Sequence, residues 1–192
     1  MPAIPQQRMT VDEFLVWGEG RPGRHELQDG RIISMSPERL RHLEAKSNAM
    51  LALRQAIRRA KLVCYALPDG ATVRIDNQTA FEPDAMVYCG PRLPGRSIEV
   101  PNPVIVVEVL SDSTARRDAH EKLLGYFTVA SIHHYLIVDA DKRCVVHHRR
   151  GAGDLIETRI VHTGLISLDP PGLSLPVEAM FAEPGDSDAA SD

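Results

Sequence analysis

Pro103-Val104-Ile105-Val106-Val107-Glu108-Val109-Leu110 is the most apolar run in this 192-residue chain, and it carries one carboxylate near its centre. A run of β-branched residues bounded by turn signals predicts a strand buried on both faces. Alternation puts Val104, Val106, Glu108 and Leu110 on one face and Ile105, Val107 and Val109 on the other. A carboxylate inside such a strand costs several kcal/mol unless a cation pairs with it. A frayed strand end with a salt bridge to arginine is the plain alternative, and the apolar residues on both sides of Glu108 argue against it.

Working upstream, Phe81-Glu82-Pro83-Asp84-Ala85-Met86-Val87 places Asp84 at the start of a second apolar strand. Pro-Asp by itself often only starts a strand or turn. If the two strands are neighbours, the Asp84 and Glu108 carboxylates meet at one point. Hard divalent cations, magnesium above all, take such oxygen ligands together with water and substrate phosphate. Downstream, a helix is expected over residues 115–130. On it Ala115, Ala119, Lys122 and Tyr126 form one stripe, so Lys122 can point at the sheet. A snorkelling Lys122 paired with Asp118 is the bland alternative.

Composition bounds the rest. The length suits one domain with a proper core, expected over residues 1–182. Residues 183–192 carry four acids and no base, which predicts a disordered tail. These four account for the whole formal net charge of −4, leaving the body neutral. No run approaches a membrane span, and the first residues lack the apolar core of a signal peptide, so a cytoplasmic location is expected. Three widely spaced cysteines, Cys64, Cys89 and Cys144, read as reduced, small buried side chains rather than a disulfide framework.

A capping box at Thr10-Val11-Asp12-Glu13 opens a short helix toward Trp17. Asp29-Gly30 turns a hairpin of residues 24–28 and 31–35. A long helix runs to about Lys61, with Leu40, Leu43, Met50, Leu53 and Ile57 assigned to its apolar stripe. Strands are expected at 62–66, 71–75 and 84–89, a hairpin at 132–138 and 143–148, and a strand at 155–161. Together these predict an α/β (α+β) fold, a central mixed sheet flanked by helices.

Several pieces resemble the Uma family of restriction-endonuclease-like proteins, a branch of the PD-(D/E)XK nuclease superfamily. They are His25-Glu26-Leu27-Gln28-Asp29-Gly30, Met35-Ser36-Pro37 with His42, Pro83-Asp84, Glu108-Val109-Leu110-Ser111, Thr114 through Asp118 with Lys122 and Tyr126, and His134-Tyr135-Leu136-Ile137-Val138-Asp139. The resemblance runs from about Met9 to Phe181. It implies metal binding by Asp84, Glu108 and the Val109 carbonyl, with Glu26 as a further acid. It implies Mg2+ or Mn2+ as cofactor, Lys122 as the catalytic lysine, and DNA phosphodiester hydrolysis as the reaction. Leu110 stands where the superfamily usually has its lysine, so that role falls to Lys122 on the following helix. The alternative is a catalytically weak or inactive nuclease-fold protein that binds nucleic acid or a protein partner.

Two more readings complete the expectations. Basic residues of the long helix, Arg39, Arg41, Lys46, Arg54, Arg58, Arg59 and Lys61, offer a phosphate-binding face, and Arg116 and Arg117 lie nearer the acids. Pairing Val138 with Arg143 sets His134 opposite His147 and His133 opposite His148; each face then holds two histidines and no third zinc ligand. An apolar hairpin around Leu136 and Val146 suggests a homodimer.

Overall fold

The computed structural model describes residues 8–110 and 117–182, the side chains of 117–119 excepted. The acidic tail, Ala115 and Arg116 lie outside the described residues, as does the side chain of Arg117. Thr10 caps helix α1 (Val11–Gly18), and its capping box with Glu13 forms as expected. Strands β1 (His25–Gln28) and β2 (Arg31–Ser34) make the hairpin, with Asp29 and Gly30 both at positive φ, 48° and 74°. Two positive φ values are what the tight turn demands.

Helix α2 (Leu40–Ala60) follows, then β3 (Cys64–Pro68), β4 (Val73–Arg74), β5 (Ala80–Phe81), β6 (Ala85–Cys89) and β7 (Pro103–Val109). Helix α3 (Arg117–Thr128) leads to β8 (His134–Asp139), β9 (Cys144–Arg150) and β10 (Ile156–Val161). A two-stranded unit, β11 (Leu165–Leu168) with β12 (Leu173–Pro176), and a 3-10 turn (Glu178–Phe181) close the described chain. β5, β11 and β12 are too short to carry a readable alternation, and the sequence reading did not separate them.

The central sheet has the order β10-β9-β8-β7-β6-β3. β7 and β8 are parallel, and the remaining neighbours are antiparallel, so the sheet is mixed. A smaller sheet, β2-β1-β5-β4, lies beside it. One face of the central sheet packs on α2, β11 and β12 through Ile105, Val107, Val109 and Leu136. The other packs on α3 through Val106, Met86, Tyr126 and Tyr135. The expected alternation of β7 is therefore what the structure uses. Covered on both faces, the strand must be apolar throughout.

Four expectations need correction. Leu40 and Leu43 are exposed, at 76% and 45%, rather than on the inward stripe of α2. The buried face is instead Ala45, Ala49, Ala52, Leu53, Ala56 and Ile57, with His42 and Lys46. Small side chains let the helix lie close to the sheet, and hydropathy alone ranked the bulky leucines above them. Cys64 and Cys89, read as separate thiols, are register partners on β3 and β6 and form a disulfide; Cys144 stays free and buried. Directly opposed positions bring side chains together, and that pairing is invisible at a separation of 25 residues. The β8–β9 register is displaced by two residues from the expected one, with Leu136 opposite His147 and Tyr135 opposite His148. Leu136 is fully buried and Val146 only partly exposed, so the two do not form the exposed apolar patch expected of that hairpin.

Gly125 sets the spacing of α3. A Cβ there would lie 2.7 Å from the Phe81 ring and 3.4 Å from Ile75. Helix propensity alone makes Gly→Ala stabilising by about 1 kcal/mol. Forced contact with a packed ring costs about 1–3 kcal/mol. Gly125→Ala should therefore lower the thermal midpoint; an unchanged or raised midpoint by calorimetry contradicts this close approach.

Candidate active site

The antiparallel register pairs Ala85 with Val107, so Asp84, one residue before β6, faces Glu108 at the same end of β7. The Val109 N–H donates to Asp84 Oδ2 at 2.7 Å, which ties the start of β6 to the end of β7. From α3, Lys122 Nζ donates to Glu108 Oε1 at 3.0 Å and to Glu26 Oε1 at 2.9 Å. The Tyr126 hydroxyl donates to Glu108 Oε1 at 2.7 Å. Glu26, delivered by β1 of the smaller sheet, also accepts the Glu82 N–H at 2.9 Å. The four side chains named from sequence, Glu26, Asp84, Glu108 and Lys122, are thus brought together and are all buried. Val109 joins them through its backbone N–H.

Sequence reasoning missed the opposite side of the site. Lys46 of α2, read with the other basic residues of the helix as a phosphate-binding face, is 8% exposed and reaches Asp84 Oδ1 at 2.7 Å and Glu38. Arg24 pairs with Glu38, Asp69 and Glu82 and lies 3.6 Å from Asp84. Lys46 falls within the alanine stripe of Ala45, Ala49, Ala52 and Ala56, and that spacing was the signal available. Nothing in the spacing of Arg24 or Glu82 announces their meeting, since they come from separate sheet segments.

Among the described residues, the carboxylates of Glu26, Glu38, Asp69, Glu82, Asp84 and Glu108 meet three cations, Arg24, Lys46 and Lys122. Burial, and then the negative charges of Asp84 and Glu26 against the opposing pull of Lys122, push Glu108 from 4.5 up to about 8. Burial would lower the Lys46 ammonium, but Asp84 and Glu38 more than reverse it and hold it charged. Tyr126 is pushed well above the ordinary range by burial and by Glu108, so its hydroxyl stays a donor.

Among the described residues, no three His, Cys, Asp or Glu side chains form a ready-made metal cage. The donor chemistry nevertheless suits a small hard cation. Magnesium takes one or two carboxylates and fills its remaining positions with water and substrate phosphate. Asp84 and Glu108 are such a pair, and a divalent cation would favour the ionised form of Glu108 that burial and the neighbouring acids oppose.

The histidines of β8 and β9 satisfy one another instead of making a zinc site. His134 Nε2 lies 3.0 Å from the Pro170 carbonyl, which can only accept. That nitrogen therefore carries the proton, and the bare Nδ1 of the neutral ring accepts from His147 Nε2 at 2.9 Å. Burial, and for His134 also His147, lowers both to about 4, which agrees with two neutral rings. His148 hydrogen-bonds Thr158.

Glu108 and Asp84 should answer differently to removal. The folded protein keeps a proton on Glu108 that the unfolded chain releases above about 4.5. Metal-free stability is therefore lost as pH rises from about 4.5 to about 8, and the deficit is complete above that. Glu108→Gln should be more stable than the parent by on the order of a few kcal/mol at high pH and nearly equal to it at low pH. Asp84→Ala leaves Lys46 with Glu38 but removes the acceptor of the Val109 N–H, and should cost about 1–3 kcal/mol. Denaturant titrations at pH 5 and 8.5 decide this; parallel profiles for Glu108→Gln and parent contradict the raised Glu108 carboxyl.

Comparison with known proteins completes the picture. The uncharacterized protein slr1290 of Synechocystis sp. is 27% identical over 191 residues, covering 94% of this chain and 95% of its own length. The uncharacterized protein sll1609 of the same organism is 27% identical over 144 residues, covering 74% and 81%. A crystal structure described as "a putative nuclease belonging to DUF820", from Anabaena variabilis, matches with a TM-score of 0.69 at 18% identity, covering 90% of this chain and 97% of that one. At that identity the likeness speaks for the fold, a mixed sheet with helices on both faces. Residues 11–178 match the family described as "Uma2: Putative restriction endonuclease", a span that includes Glu26, Asp84, Glu108 and Lys122, and the chain belongs to that Uma2 family.

Proposed function

We propose that this protein is a metal-dependent endonuclease that hydrolyses phosphodiester bonds of DNA. The observation that carries the reading is the meeting of Asp84 and Glu108 on paired strands, with Lys122 fixed against Glu108. Magnesium or manganese, held by Asp84 and Glu108 with the Val109 carbonyl and Glu26, would supply Lewis acidity and an acidified water.

The chain's own groups do the rest. Lys122 is held between Glu26 and Glu108, so its ammonium is positioned before substrate arrives. A pre-oriented positive charge stabilises the negative charge that develops on a phosphate under attack. Glu26 fixes that lysine and is itself held by the Glu82 N–H. Tyr126 orients Glu108 from the α3 layer, and Lys46 orients Asp84 from the α2 layer. Burial of the acids keeps bulk water from screening these charges.

Incubation with supercoiled, linear and branched DNA tests the reading. Cleavage is expected with magnesium or manganese and not with EDTA. Glu108→Gln and Asp84→Ala should abolish it, and Lys122→Ala should slow it by on the order of a hundredfold or more. DNA binding without cleavage under any metal overturns the enzymatic reading in favour of a binding protein with a nuclease fold.

Metal binding should also release a proton. Glu108 is neutral below about 8, and a coordinating carboxylate is ionised. Magnesium affinity should therefore rise with pH to about 8 and level off above it. Calorimetry at pH 7 in buffers of different protonation enthalpy should show the released proton; a buffer-independent heat argues against Glu108 as a ligand.

A further inference from the structure

Asp84 belongs both to the acid cluster and to the wall of a cleft. Glu108, Lys122 and Glu26 gather on the α3 side, while Lys46 reaches Asp84 from α2. On that second side lies an open cleft of about 330 Å3 with Asp84 in its wall. Leu43, Met50 and Leu51 form its apolar part, together with Lys46 and Arg54. Leu43 and Leu51 are 45% and 55% exposed, so these bulky side chains of α2 face the cleft rather than the core.

The charges in the cleft are asymmetric. Asp84 is paired with Lys46, and Asp69 with Arg24. Arg54 is exposed and forms no ion pair among the described residues, and the same holds for Arg58 one turn further along the same face. Arg54 and Arg58 are thus the cations of this face that no acid among the described residues engages.

The geometry points to a binding site for one unpaired nucleotide of a DNA strand. Its base lies against Leu43, Met50 and Leu51, and the phosphates beyond it lie on Arg54 and Arg58. The inference rests on the nuclease reading and adds the form of the substrate. A base taken out of the stack needs an apolar wall on its faces, and Met50 supplies an adaptable one. The volume is at the small end of the range of about 300–1,000 Å3 for sites that take one small organic group. It admits a nucleotide and not a duplex. Paired bases would leave the apolar wall wet, whereas an unpaired base covers it. Because Asp84 faces Glu108 and also lines the cleft, a base in the cleft puts an adjacent phosphate near these acids.

Fluorescence anisotropy tests this with labelled single-stranded DNA, a duplex with one bulged nucleotide and a fully paired duplex. It is run in EDTA and, with magnesium, on Glu108→Gln. The single strand and the bulge should bind at least about tenfold tighter than the paired duplex, the discrimination that about 1.4 kcal/mol confers. Leu51→Ser should erase that preference while leaving paired-duplex binding within about twofold. Arg54→Ala should weaken every DNA and reduce the slope of log affinity against log salt by about 0.7–0.9. Both side chains are exposed, and unchanged melting curves verify that both variants fold. Equal binding of paired and bulged duplex, or a preference that survives Leu51→Ser, overturns the nucleotide site and leaves the cleavage reading standing. Failure to bind any of the three DNAs in either condition overturns both.

Discussion

The buried excess of negative charge where β6 begins and β7 ends is the constraint on which the rest of this structure depends. Carboxylates on neighbouring strands repel, and burial magnifies the repulsion by removing water. A scaffold of apolar strands cannot tolerate this without cations supplied from outside the sheet. Lys122 comes from α3, Lys46 from α2, and Arg24 from the segment leading into β1. Each layer of the fold therefore contributes one counter-charge to the same point. Burial first, and then the neighbouring Asp84 and Glu26 against the pull of Lys122, raise the Glu108 carboxyl to about 8.

A buried ion-pair network gains little stability by itself, because desolvation offsets the attraction. Asp84 and Glu108 differ within this one. Asp84 is anchored by Lys46 and by the Val109 N–H, so it holds its place. Glu108 is the group whose charge remains unsettled, and a raised carboxyl in a cluster of this kind marks a site of chemistry more than one of support.

Packing explains how the layers reach that point. Alanines on the inner face of α2 let the helix lie close to the sheet, so the Lys46 side chain can span the gap to Asp84. Gly125 does the same for α3, bringing the helix against Phe81 and setting Lys122 and Tyr126 over Glu108. The bulky residues displaced from the inner face of α2 line the cleft on its exposed side. Close approach on one face and an apolar groove on the other are thus two results of one distribution of side-chain volume.

Much of this was legible in the chain itself. An unbroken β-branched run marks a strand covered on both faces, and a carboxylate within it is costly wherever the strand lies. Glu108, Asp84 and the Lys122 stripe follow from those local rules, as do the Asp29-Gly30 turn and the capping box at Thr10. What the sequence alone did not determine depends on elements distant along the chain. The disulfide of Cys64 with Cys89 and the arrival of Arg24 and Lys46 at Asp84 are both of this kind. Hydropathy periodicity records which side chains avoid water; it does not record which neighbour covers them. Leu40 and Leu43 therefore read as core residues until tertiary packing chose the alanines. Local chemistry named the acids, and only the register of β6 on β7, with a helix pressed on each face, decided which cations they meet.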